Sequence, residues 1–305
     1  MKKLYPYDSR LPMRVAIFMS GTGSNAKKII EWHLEEKKAG NPSFEPVLIF
    51  TDNPKSNAVA ISNSYSSKGL SLPVLCDSIY DFYKACGKDD LKDLNIREAF
   101  DNSHIGVLSS YNIDCIALAG YDRIATPVIC NTFFTINVHP GYLPAKYDSG
   151  PKIGKPKYTG LAWIPSAKAI LAGENEVHTS VHVVTDNLDC GPVLAVSAPQ
   201  PVPDEVKGMS LEERATLIGT VRSIQEIADF IKKNPDFSEA ALHCQFPIVK
   251  YASDCQNRLK VHGDWVVFPR VLRYIGTGRY ACENGSLFFD GEPIPNGKLI
   301  REGEL

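Results

Sequence analysis

In its first half this 305-residue chain carries its apolar residues as short, nearly unbroken runs; further on, they fall at helical spacing. The runs lie at 14–19, 46–50, 72–75, 113–120 and 134–138. Such runs are the pattern of strands covered on both faces in a parallel sheet. More polar stretches at 26–36, 57–68, 77–111 and 127–132 separate them and read as helices. This alternation predicts an α/β fold with a doubly wound, mostly parallel sheet of Rossmann-like build, ligands binding beyond the strand C-termini.

After Pro144 the pattern changes. A Lys-, Gly- and Pro-rich stretch at 145–160 reads as an exposed loop and 166–172 as a helix. Strands at 178–184 and 193–198 form a hairpin, and amphipathic helices at 212–218 and 223–233 lie in a helical insert near 205–253. A helix near 254–274 leads to a C-terminal antiparallel hairpin at 279–289, with Asn284-Gly285 as its turn. We expect residues 1–13 to be an irregular leader and 14–305 a single domain carrying the two inserts.

Composition narrows the function classes. A net charge of -2, without a basic run, argues against a nucleic-acid partner. No segment approaches the ~18 apolar residues of a membrane span. The two N-terminal lysines lack the apolar stretch of a signal peptide. The eight cysteines include no C-x-x-C pair, and Cys115 sits inside an apolar run, so reduced thiols in a cytoplasmic protein are expected and no metal site.

Two stretches carry candidate chemistry. In Ile136-Asn137-Val138-His139-Pro140, Asn137 and His139 are two apart on a strand and share a face. A neutral amide donor beside an imidazole can stabilise an oxyanion and move a proton. The turn Ser20-Gly21-Thr22-Gly23-Ser24-Asn25 lies between a strand and a helix, where N–H groups and the helix dipole favour a phosphate. The same turn, with Ala26 and with Asp52 after the second strand, also fits a dinucleotide fingerprint. An NAD(P)-dependent oxidoreductase is therefore an open alternative at this point.

A third stretch, His178-Thr179-Ser180-Val181-His182 followed by Asp189-Cys190-Gly191-Pro192, stands in order with the other two. Together they resemble the folate-dependent formyltransferases, most closely the branch acting on glycinamide ribonucleotide in purine synthesis, over about 14–203 and again at roughly 255–300. The resemblance implies formyl transfer from 10-formyltetrahydrofolate to a primary amine, with Asn137, His139 and Asp189 as catalytic residues. It places Gly23, Ser24 and Asn25 on the substrate phosphate and Asp264 near the substrate amine. It assigns folate contacts to Arg97, to Asp122, Arg123, Ile124 and Ala125, and to Thr185, Asp186, Asn187, Leu188 and Asp189, with Asn137 shared. The implied partners are small molecules, the folate and a phosphoribosyl amine, for a monomer or homodimer. For His182 we expect a structural role bridging strand to loop.

The chain departs from the family pattern at Asp122, where an apolar residue is usual, at the longer 145–160 loop, and at Ala162-Trp163-Ile164-Pro165, where His is frequent. The insert has no counterpart in that pattern. These departures leave open another phosphorylated amine or nucleotide sugar as acceptor, or 10-formyltetrahydrofolate hydrolysis.

Overall fold

Apolar runs become strands and the polar stretches between them become helices, because a strand covered on both faces leaves little room for polar side chains. The computed structural model describes residues 1–6 and 11–304. Its first half contains β1 (Lys2–Lys3), β2 (Met13–Phe18), α1 (Ser24–Lys38), β3 (Phe44–Thr51), α2 (Ala58–Ser66) and β4 (Val74–Cys76). Next come α3 (Ile79–Ala85), α4 (Leu94–Ser110), β5 (Cys115–Leu118), α5 (Pro127–Cys130) and β6 (Thr135–His139). The middle holds α6 (Ile164–Leu171), β7 (Glu176–Val177), β8 (Ser180–Val183), β9 (Val193–Ser197) and β10 (Gln200–Pro201). The insert supplies α7 (Asp204–Lys207), α8 (Leu211–Thr216), α9 (Ile224–Lys233) and α10 (Glu239–Gln245). The chain closes with α11 (Pro247–Leu259), α12 (Trp265–Gly276), β11 (Tyr280–Glu283), β12 (Ser286–Phe289), β13 (Glu292–Pro293) and β14 (Lys298–Ile300).

The main sheet has the order β14-β9-β8-β6-β5-β2-β3-β4. β2 pairs in parallel with β3 and β5, β3 with β4, and β5 with β6. β8 and β9 form the expected hairpin: Val183 N–H donates to Pro192 O and Ser197 N–H to Thr179 O. β11 and β12 pair antiparallel through the Asn284-Gly285 turn. The leader is not wholly irregular. Lys2 and Lys3 pair with Cys282 and Ala281, because β11 would otherwise keep an open edge. Residues 7–10 of that leader lie outside the described residues.

The chain forms two compact units. The first comprises Met1–Val138, Val181–Ala195 and Phe268–Lys298. Part of its core is a cluster of rings from β2, β3 and α4: Phe18 and Phe50 lie 4.5 Å apart, and Phe100 meets Phe50 edge-on. The second comprises His139–Ser180, Val196–Val267 and Leu299–Leu305. The insert is as helical as its periodicity predicts, and it buries Ile227, Phe246 and Ile248 in one core with Ile170 and Leu259. Ser210 and Glu213 form a capping box on α8, and Ser223 caps α9, each cap contributing about 1 kcal/mol. Buried Arg214 donates to the carbonyls of Ile170 and Glu174 and to Asn175 Oδ1, tying α8 to the end of α6.

Two element boundaries differ from expectation. α6 starts at Ile164 because Pro165 fits the first helical turn, where no N–H is needed. The single helix expected near 254–274 is instead α11 and α12 joined by a π-helical turn, Lys260–Asp264. Its Asp264 accepts a hydrogen bond from buried Thr179 Oγ1 at 2.7 Å.

Candidate active site

The turn after β2 is set by Gly23, the N-cap of α1, at φ 70°. A Cβ there would lie 2.4 Å from Ile61 Cδ1 and 2.7 Å from Met19 Cε, tips that would have to move aside, while the positive φ itself disfavours any side chain. Asn57 holds the turn from α2's start, its N–H donating to Gly21 O and its Nδ2 to Thr22 O. Gly23 has no side chain with which to cap α1, and Ser24 and Asn25 are half-buried in its first turn.

Beyond β5, the loop 121–125 is held by buried charges. Arg97, 3% exposed, donates from Nε to Ile124 O and from Nη2 to Tyr121 Oη, and pairs with Asp101 at 2.9 Å. Its Nη1 is buried and has no hydrogen-bond partner. Asp101 also accepts from Thr126 N–H and Oγ1. Burial pushes its carboxyl above the ordinary range, opposed mainly by the Arg97 charge. Arg123 Nε pairs with Asp52 at 2.8 Å, Ser20 Oγ donates to Asp52 at 2.6 Å, and Asp122 N–H donates to Ser20 Oγ. Asp52 is fully buried in these bonds. The carboxylate that a dinucleotide reading needs for a ribose is therefore committed inside the protein.

The second predicted loop, 185–189, is held far less. Asp186, Asn187 and Leu188 are exposed, and Thr185 Oγ1 donates to Asn187 O. The loop returns to the sheet at Asp189, which has φ 56° and is 9% exposed. Its Oδ1 lies 3.8 Å from His182 Nε2, and Asn137 Nδ2 lies 3.2 Å from the same nitrogen. His182 Nδ1 bonds to Val183 O, which requires the proton on Nδ1 and leaves Nε2 to accept from the Asn137 amide. The first unit therefore gathers Asn137, His182 and Asp189. His182, on β8, stands between Asn137 of β6 and Asp189 of the loop.

In the second unit, His139 is buried and donates from Nε2 to Tyr158 O at 2.8 Å. Asp264 is held by Thr179 as described above. Among the described residues, no group of three or more His, Cys, Asp or Glu is placed to hold a metal ion.

Several residues of these networks escaped the sequence reading. Asp101 carried a signal, since Arg97 and Asp101 are four apart on a helix and face each other. Thr179 lay inside a quoted motif. Tyr158, in the Lys-, Gly- and Pro-rich loop, carries none, because a backbone carbonyl acceptor is independent of side-chain identity.

With this geometry in view, residues 13–217 match the formyl transferase family. The chain is 30% identical over 184 residues to phosphoribosylglycinamide formyltransferase of Escherichia coli, spanning 60% of this chain and 70% of that protein. Against the protein of the same name from Haemophilus influenzae, identity is 28% over 297 residues, 95% of this chain and 99% of the relative. The structure of the Coxiella burnetii phosphoribosylglycinamide formyltransferase in complex with CHES is similar in fold. Its TM-score is 0.56 at 20% identity, covering 95% of this chain and 99% of that one.

Proposed function

The chain belongs to the formyl transferase family, and we propose that it transfers a formyl group from 10-formyltetrahydrofolate to the primary amine of glycinamide ribonucleotide in the cytoplasm. The names of the Escherichia coli and Haemophilus influenzae relatives support this acceptor. The observation that carries the chemistry is the Asn137 amide, fixed at the end of β6 by His182 Nε2 beside Asp189.

The folate supplies an activated formyl carbon. The substrate amine attacks it, forming a C–N bond and an oxyanion, and the folate nitrogen then leaves with the proton that the amine loses. One N–H of Asn137 goes to His182, and its second N–H is left to donate to the oxyanion. Each such donor is typically worth about 3 kcal/mol in the transition state. His139, two residues further along β6, holds its Nε2 proton on Tyr158 O and would leave that carbonyl to offer the proton to the reaction. Asp189 would favour positive charge on an imidazole as the proton moves.

For the folate, the unpartnered Nη1 of Arg97 is a buried donor that fits an oxygen-rich ligand, and the 121–125 and 185–189 loops would flank the ring. Gly23, Ser24 and Asn25 would take the phosphate at the start of α1, and Asp264 the amine side of the substrate.

The test is turnover of 10-formyltetrahydrofolate with glycinamide ribonucleotide, comparing wild type with His139→Ala. We expect folate release only with the amine present and a loss of about 10²–10³ in kcat for the variant. Turnover without the amine would make the protein a hydrolase. An unaffected variant would remove His139 from the reaction.

A further inference from the structure

The second unit contains a cavity of about 200 Å³ that none of the roles above uses. Gly141, Pro165, Ser166, Ala169 and Val177 are buried lining residues, buried Tyr158 forms a wall, and exposed Glu174 and Glu176 also line it. Ser166 Oγ is buried and has no hydrogen-bond partner. A buried hydroxyl in that state carries an uncompensated desolvation cost, which a ligand with a polar end would remove.

Three properties define the occupant. A dry cavity of roughly 150 Å³ holds benzene, so this one admits a single ring with a short side chain. Its charged lining is acidic, with two glutamates and neither lysine nor arginine. A tyrosine ring along one wall favours an aromatic body or a cation against its face. We propose that this cavity binds a small organic monocation of one-ring size, its ammonium at Glu174 and Glu176 and its opposite, hydrogen-bonding end at Ser166.

The cavity wall also touches the machinery. Tyr158 Oη donates to Glu174 Oε1 at 2.5 Å, while the carbonyl of the same residue accepts the Nε2 proton of His139. A cation that draws Glu174 away from the phenol loosens the residue holding His139. Any effect on turnover rests on the role proposed for His139, whereas binding does not.

The probe is tyramine, titrated into the full chain and followed by NMR chemical shifts. We expect saturable binding with Kd on the order of 1 mM, as suits so small a ligand. The neutral p-cresol should bind ~10-fold more weakly, and Glu174→Gln with Glu176→Gln should weaken tyramine by a similar factor. Ser166→Ala should weaken it about threefold. Shifts of the His139 ring should accompany saturation. The glutamates are exposed, so the double variant should fold normally by circular dichroism. Absence of saturable tyramine binding overturns the proposal. So does binding left unchanged both in the double variant and in Ala169→Trp, which fills the cavity. A chain that binds tyramine but turns over no folate would sink only the proposed reaction, and an active enzyme that ignores tyramine would sink only this site.

Discussion

Two loops of the first unit carry most of the expected folate contacts, and they are held in opposite ways. The 121–125 loop is fixed from below by buried charges: Arg97 grips Ile124 O, Asp52 grips Arg123, and Ser20 grips the Asp122 backbone. The 185–189 loop exposes Asp186, Asn187 and Leu188 and re-enters at one strained residue, Asp189. The difference separates two tasks. A loop pinned by desolvated charges presents one preformed wall, because moving it would strand those charges. A loop held by its ends and by one weak thiol contact, Cys130 Sγ to Asp186 Oδ1, can adapt to a ligand at little cost to the fold.

The strongest way to break this comparison is Asp101→Ala. It leaves the Arg97 guanidinium buried without its carboxylate and should destabilise the chain by roughly 3–5 kcal/mol in denaturant unfolding. A loss below ~1 kcal/mol would mean that the first loop is no more pinned than the second. Next is Asp189→Asn. Asn tolerates the left-handed conformation at that position, so stability should change by less than about 0.5 kcal/mol. Formyl transfer should nevertheless fall by at least ~10²-fold, as loss of an electrostatic partner at the reacting centre does.

A pH series tests the packing of α1 on β3 in the same unit. His33 on α1 is buried against β3 and bonds to Phe44 O, and burial holds its pKa below 6.5. Its folded pKa is depressed, so the unfolded chain takes up the proton first as pH falls below 6.5. Its contribution is therefore complete above that value and shrinks below it. The Tm of wild type should fall more steeply between pH 7 and pH 5 than that of His33→Asn. The smallest effect belongs to Leu188→Ser. Its side chain is 63% exposed, so stability should stay within ~0.5 kcal/mol while KM for the folate rises. An unchanged KM would place the folate away from this loop.

The sequence determined the parallel half of the sheet, the glycine turn, the β8–β9 and β11–β12 hairpins and the helical insert. Each of these is written in local spacing, and burial follows spacing directly. It also offers Asn137, His139 and Asp189 as candidates, because their residue types and order can be read along the chain. Partners were a different matter. Only the tertiary structure decided that His182 Nε2 holds the Asn137 amide, that Tyr158 offers its carbonyl to His139, and that Asp52 closes on Arg123 rather than facing a ligand. It also decided the π-turn that presents Asp264 to Thr179, 85 residues apart in the chain. A hydrogen bond depends on atoms meeting at about 3 Å, and for residues distant in sequence only the packed fold sets that meeting.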